Sequence, residues 1–315
     1  MPEIFRPIFV VGCQRSGSTL LGSMLGAHPE IVCIPEGQFI VDLMPTADPQ
    51  AKVDPSQIIG RIDTHWRFRV WEFDLGSDRP VAGEVEPTYR GAIEWLVRHY
   101  ADANNRPGAK VWVDHQPGHV RFLWRLLQHF PDAKVIHIIR DGRAVAASIM
   151  PLDWGPNVIL SAAMFWKLNV GLGFAASANL GPDQLMHVHY EDLVQDSEAT
   201  MRRIAEFSGI AFDPAMVTTS GLRVPRFTED QHHLIGTPPT PDRINAWQKK
   251  LSRRQIRIFE KKTNDLLRQL GYQTLAELDP PNVSWMEALL LFLEDQIKKL
   301  INGIRFWYRR RRYSP

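Results

Sequence analysis

Residues 8–22 read Ile8-Phe-Val-Val-Gly-Cys-Gln-Arg-Ser-Gly-Ser-Thr-Leu-Leu-Gly22, and this stretch decides the fold. The β-branched and aromatic run from Ile8 to Val11 predicts a fully buried strand. It breaks at Gly12, and helical spacing resumes from Thr19 through Leu20, Leu21, Met24 and Leu25. A strand, a glycine-cornered loop and a helix in that order wrap successive backbone N–H groups around an anion, with the positive end of the helix dipole behind them. The stretch reads as a phosphate cradle.

The spacing Gly12-x-x-x-x-Gly17 followed by Ser18-Thr19 fits a nucleoside triphosphate loop, except that Ser18 stands where such a loop carries lysine. A kinase or ATPase loop sets that lysine on the β and γ phosphates and holds Mg²⁺ nearby. Here the cation is Arg15. A second unit of the same kind lies further on: Ala133 to Ile139 is the best central-strand run in the chain. It ends in Arg140-Asp141-Gly142 and opens a helix through Ala144, Val145, Ser148 and Ile149. An arginine at a strand end offers a charge-assisted fork, and a serine one or two turns into the next helix adds a second donor.

Between and around these units, strands and helices alternate. Ile31 to Ile34 predicts a short strand ending at Pro35-Glu36, which puts Glu36 at the carboxyl edge of the sheet, where ligands bind in open parallel sheets. Residues 45–90 predict an irregular helical insertion. Its run Trp66 to Phe73 is either packing onto the main domain, the favoured reading, or a substrate wall. Helical spacing follows at 92–100, a strand at 110–113, a helix at 119–130, a helix at 162–178, a strand at 187–190 and a helix at 198–207. The Pro-rich stretch Gly236 to Trp247 is too long and polar for an ordinary connection and suggests a lid, after which Ser252 caps a helix reaching Leu270. The expected fold is α/β: a parallel sheet flanked by helices, of the P-loop nucleotide-binding type. The expected division is residues 1–280 as one domain and 281–315 as a basic amphipathic tail.

With 315 residues, 44% of them hydrophobic, the chain can bury a large core, and a net charge of +2 gives no case for a nucleic-acid partner. Two cysteines, Cys13 and Cys33, exclude a disulfide framework. The N-terminus shows no basic region followed by an apolar core, and no apolar run reaches the ~20 residues of a spanning helix. A cytoplasmic location is the expectation. The tail, from Trp285 to Tyr313, mixes Leu-rich turns with Lys298-Lys299 and ends in Arg309 to Arg312. It suits an anionic membrane surface, or packing on its own domain or on a dimer partner.

Gln14-Arg15-Ser16-Gly17-Ser18-Thr19-Leu20 resembles the 5′-phosphosulfate loop of sulfotransferases, which take sulfuryl groups from 3′-phosphoadenosine 5′-phosphosulfate (PAPS). Lys134 to Ser148 resembles their 3′-phosphate motif, and Ala27-His28-Pro29 with Glu36 resembles the branch that includes tyrosylprotein sulfotransferases and many bacterial enzymes. The resemblance covers about residues 6–272. It implies that Arg15, Ser16, Gly17, Ser18, Thr19, Arg140 and Ser148 hold PAPS and its product adenosine 3′,5′-bisphosphate. It further implies that Tyr190 lies on the adenosine side, that Lys250 in Trp247-Gln-Lys-Lys250 reaches the donor phosphates, and that Glu36 is the general base. One departure stands out: His115, only partly charged near neutral pH, precedes Pro117 where the family commonly has lysine, so the transition-state cation is His115 or, in its stead, Lys250 or Arg15, and His115 is also the second candidate base.

Transfer of a singly charged sulfuryl group needs in-line positioning and charge stabilisation more than a metal clamp, and no metal is expected. His115 and His119 stand at i and i+4, but Pro117 and Gly118 between them spoil the helix that a metal pair would need. Asp141 reads as a cap and Cys13 as a small loop residue. A nucleotide kinase and a non-catalytic PAPS-binding protein are the alternatives; the absent lysine argues against the first and Glu36 against the second. The acceptor, a glycan, lipid, peptidyl tyrosine or small phenol, is not encoded in any motif.

Overall fold

Alternate residues of the first strand feed two separate cores, and this places it at the centre of the molecule. Phe9 and Val11 pack into one apolar cluster, Ile8 and Val10 into another on the opposite face, all within 1% of complete burial. The computed structural model describes residues 5–46, 48–81, 83–232, 235–275 and 282–313. Strands β1 (Arg6–Gly12), β2 (Ile31–Ile34), β3 (Val111–Asp114), β4 (Lys134–Ile139) and β5 (Leu185–His189) form one parallel sheet in the order β2-β3-β1-β4-β5. The chain lays two strands on one side of β1 and then two on the other, so a crevice opens at the carboxyl ends of the central strands.

Helices cover both faces. In chain order they are α1 (Ser18–Gly26), α2 (Gln38–Asp42), α3 (Pro55–Asp63), α4 (Trp66–Arg69), α5 (Tyr89–Ala103), α6 (Leu123–His129), α7 (Gly142–Ile149), α8 (Ile159–Ser177), α9 (Tyr190–Gln195), α10 (Ser197–Ser208), α11 (Arg226–Glu229), α12 (Trp247–Lys250), α13 (Arg253–Gln269) and α14 (Trp285–Tyr313). Sequence expectation and structure agree on all five strands to within two residues. The helix expected at 119–130 differs: Pro117–Phe122 is a 3-10 turn, because Pro117 starts it and Gln116 caps it, and α6 begins only at Leu123.

Among the described residues the insertion is helical at α3 and α4, and α5 begins at its end. Phe68 and Trp71 from its aromatic run are buried against Phe39, as the packing reading expects, while Arg67 faces a cleft. Helix α8 also departs from the sequence reading. Its 19 residues are long and apolar enough to span a bilayer by length and composition, but it packs on α7 and α13, with Trp166, Ala163 and Val170 fully buried. The Ser252 cap holds: its side chain and that of Gln255 form a reciprocal capping box that opens α13. Helix α14 lies on its own domain, against α11.

Candidate active site

The loop after β1 is shaped by contacts that exclude side chains. At Gly12 (φ 148°) an added Cβ would lie 2.4 Å from the Ile138 carbonyl oxygen, so β1 and β4 meet more closely than any other residue allows. Gly17 (φ 101°) precedes α1 in the left-handed region with its Cα against the Tyr190 ring, 2.6 Å from where a Cβ would sit. Between them Arg15 holds φ 71°, a strained value for a residue with a side chain. The Ser16 N–H donates to the Cys13 carbonyl at 3.2 Å, closing the turn, and Ser18 and Thr19 supply first-turn N–H groups with no helical acceptor.

The second strand-turn-helix unit meets this loop across 133 residues of sequence: Arg15 Nε donates to Ser148 Oγ at 3.1 Å. Arg140 donates to the carbonyls of Arg15 at 3.2 Å and Arg243 at 3.3 Å, and its guanidinium lies 4.0 Å over the Tyr190 ring. Trp166 Nε1 donates to the Arg140 carbonyl at 3.0 Å and fixes the strand end. Yet Arg140 Nε, Ser16 Oγ and Gln14 Oε1 are buried without a hydrogen-bond partner among the described residues. Buried polar atoms are rarely left unpaired, so the two donors, Arg140 Nε and Ser16 Oγ, fit an anionic ligand, while Gln14 Oε1 can only accept.

A cleft of about 430 Å³ opens over them. Arg15, Arg67, Arg140, Arg243, Lys250 and Arg309 line it, and Glu36 is the one acid among the described lining residues. Burial lowers the pKa of Arg15, Glu36 opposes the shift, and the nearby guanidiniums of Arg140 and Arg243 add to it. Cations crowded together in this way gain from a polyanion.

Glu36 sits at the end of β2 between Arg15 and Arg67, both of whose charged forms its carboxylate favours. Its backbone is fixed on two sides. The Trp71 indole donates to the Glu36 carbonyl at 3.2 Å, and the next N–H, of Gly37, donates at 3.1 Å to Asp114 Oδ1. Asp114 is wholly buried at the end of β3, where it also accepts from the Gln116 N–H at 3.0 Å and pairs with His119 Nε2 at 2.9 Å. His119 is thus held in the core by Asp114, and the described residues contain no group of three or more histidines, cysteines or acids that could hold a metal.

His115 lies outside the main cleft. It is buried beneath Gly22 of α1 and lines a small neighbouring cavity with Thr19 and Glu36. Burial lowers its pKa, only partly offset by Glu36 and Asp114, so the ring is neutral near pH 7.

At the far wall, Arg143 stacks 4.1 Å over Trp247, the first residue of the turn that carries Lys250. Arg143 is pinned by Asp141 (Nε at 3.0 Å, Nη2 at 2.7 Å) and by Glu260 (Nη1 at 2.6 Å), a buried ion triad joining α7 to α13. Asp141 also caps α7 by accepting from the Arg143 N–H. The Pro-rich stretch lies along the cleft through Thr237, Pro238, Pro239, Thr240 and Arg243.

Of the eleven site residues read from the sequence, nine line one cleft, with Ser16 buried beneath the loop and His115 set apart in the smaller cavity. The sequence reading missed Arg67, Arg243, Asp114, Phe306 and Arg309. Arg243 carried a readable signal, a cation in the Pro-rich stretch that leads into the turn carrying Lys250. Asp114 carried none, because a strand-end acid seen in sequence does not reveal which backbone N–H it will bind.

A sequence model described as the sulfotransferase family matches residues 7–214. The chain belongs to the sulfotransferase family. This sulfotransferase is 25% identical to protein-tyrosine sulfotransferase A of Caenorhabditis elegans over 312 residues, covering 96% of this chain and 75% of that one. It is 22% identical to the protein-tyrosine sulfotransferase of Drosophila melanogaster over 317 residues, covering 95% of this chain but 57% of the fly protein. Among solved structures it is similar to the sulfotransferase domain of the Synechococcus PCC 7002 olefin synthase, with a TM-score of 0.58 at 20% identity, covering 86% of this chain and 96% of that one. That likeness establishes the fold. The matched residues include Arg15, Glu36, Arg140, Ser148 and Tyr190, while Arg243, Lys250 and α14 of the sulfotransferase lie beyond them.

Proposed function

We infer that the cleft binds PAPS and that the enzyme moves its sulfuryl group to an acceptor hydroxyl with Glu36 as general base. The observation that carries this reading is the convergence of Arg15, Arg140 and Ser148. Two phosphate-binding units distant in sequence share one hydrogen-bonded node, which suits a nucleotide phosphorylated at both ends of its ribose. The loop N–H groups and Arg15 would take the 5′ end, Arg140 and Ser148 the 3′-phosphate, and Tyr190 the adenosine side.

In the reaction the acceptor oxygen forms a bond to sulfur as the bond from sulfur to the 5′-phosphate oxygen breaks. The bond electrons leave with the phosphate, and the acceptor proton passes to Glu36. Arg15 and Lys250 would stabilise charge growing on the bridging oxygen. A neutral His115 supplies no such charge, so the cation that the family pattern has at that position is provided from the loops. Ser18 stands where a triphosphate loop sets its lysine on the β and γ phosphates, against the kinase reading.

The test incubates the protein with sulfur-labelled PAPS and a panel of phenols, glycans, tyrosyl peptides and hydroxylated lipids. Labelled acceptor with stoichiometric adenosine 3′,5′-bisphosphate is expected. Transfer to none of the classes, with the donor bound, would leave a binding protein instead.

A further inference from the structure

Helix α14 is built the opposite way from a helix that covers a core. It is anchored to the domain largely through polar contacts. Arg254 pairs with Glu287, Asn157 donates to the buried Asp295 at 3.3 Å, Asn302 donates to Asn157 Oδ1 at 2.7 Å, and Arg309 pairs with Asp153 at 2.8 Å. Leu291 and Phe306 are its main apolar contacts inward.

The outward face is apolar along its length. Met286, Leu290, Leu293, Ile297, Leu300 and Ile304 are all exposed, Leu300 by 73% and Leu290 by 66%. A surface helix normally turns such a face inward. An exposed apolar strip of this length calls for a cover.

We propose that this face of α14 docks in the plane of an anionic lipid bilayer. Three observations favour a bilayer over a second copy of the chain. First, the apolar arc spans roughly half the helix circumference at ~100° per residue, wider than the two-position seam of a helix pair. Leu289, Ile301 and Tyr308 occupy flanking positions where a coiled coil carries charges that choose its partner.

Second, Lys298, Lys299 and Arg305 border the arc and Arg310 to Arg312 close it, six bases besides the inward Arg309, against the three acids Glu287, Glu294 and Asp295. Arg305, Arg310, Arg311 and Arg312 have no carboxylate partner among the described residues. Parallel pairing of two copies would press those arginines together, whereas anionic headgroups would neutralise them. Third, Trp285 at one end and Trp307 with Tyr308 at the other are exposed aromatics of the kind that settle at a lipid–water boundary. The charges within the helix exclude it as a span, so it lies flat. Because Phe306 and Arg309 line the cleft from the inward side of the same helix, docking would carry the cleft to the membrane surface.

The test is co-sedimentation of the full chain with vesicles of phosphatidylcholine alone or mixed with phosphatidylserine, at low and high salt, beside light scattering in solution. A monomer is expected to partition at least ~10-fold better to the anionic vesicles, with salt weakening the preference. The double variant Ile297→Glu/Ile304→Glu is expected to stay in the supernatant with an unchanged melting temperature, since both side chains are exposed. Should that variant unfold, Arg310→Ala/Arg311→Ala/Arg312→Ala keeps the apolar face and is expected to lose the anionic preference. Parent protein that stays in solution with both vesicle types, or glutamate variants that sediment like the parent, would overturn the proposal. A solution dimer dissociated by the glutamates would also overturn it, by showing that a second copy is the cover. None of these readouts depends on sulfuryl transfer.

Discussion

Replacing Arg143 by methionine removes the cation of the buried triad while keeping most of its volume. Three hydrogen bonds of 2.6 to 3.0 Å disappear, and Asp141 and Glu260, 5% and 1% exposed, lose the guanidinium that bridges them. Breaking a buried pair by deleting one partner costs about 3–5 kcal/mol, because a charge is left desolvated and unpaired. Arg143→Met should therefore lower the urea unfolding free energy by that amount at pH 7.

The triple variant Asp141→Asn/Arg143→Met/Glu260→Gln should recover most of the loss. Its amide oxygens still cap α7 and still accept from the Leu275 N–H, as Asp141 and Glu260 do now, and no charge remains to be paired. Donor affinity should fall in the single variant too, since Trp247 loses the cation stacked on it and the turn holding Lys250 loosens. A loss under about 1 kcal/mol, or no recovery when the acids are neutralised, would refute the assignment of this triad as the anchor of the far wall.

Other outcomes follow from the same geometry. Glu36→Gln keeps size and hydrogen bonding but not basicity, so turnover on the true acceptor should drop ~10²–10⁴-fold while calorimetry finds donor affinity unchanged. Gly17→Ala forces a Cβ into the Tyr190 ring at a left-handed backbone position, and should weaken nucleotide binding at least ~10-fold and lower stability by ~1–3 kcal/mol, read by calorimetry and thermal melting. His137, fully buried and bonded at 2.9 Å to His187 Nδ1, has its pKa lowered to about 3 by burial and by its neighbouring histidines. The unfolded chain therefore takes up this proton first, so the contribution is complete above pH ~6.5 and shrinks by up to ~1.4 kcal/mol per pH unit as pH falls toward 3. Urea titrations at several pH values should show a shallower acid slope for His137→Asn.

Strands β1 to β4 were legible because each is a short apolar run closed by a glycine, proline or charged residue, and the order of strands and helices dictated a parallel sheet. The donor loop was legible for a related reason: Gly12 and Gly17 mark backbone that no other residue tolerates. What escaped was contact between distant segments. The sequence placed Arg15 and Ser148 in separate motifs, and only the fold joins them at 3.1 Å. Arg67 was hidden in an aromatic run whose members divide by residue, Phe68 and Trp71 inward and Arg67 into the cleft. The amphipathic pattern of α14 gave its two faces but not which one the domain holds. Buried Asp295 and exposed Leu300 reverse the usual assignment.

The most direct measurement is calorimetric titration with adenosine 3′,5′-bisphosphate, AMP and ATP, with and without Mg²⁺. Arg140 and Ser148 are assigned to a 3′-phosphate that AMP and ATP lack. The bisphosphate should therefore bind far more tightly than either, without metal, and Arg140→Ala should remove ~1.5–3 kcal/mol of that preference. Equal affinity for ATP and the bisphosphate, or binding that requires Mg²⁺, would contradict a PAPS site and return the cleft to phosphoryl chemistry.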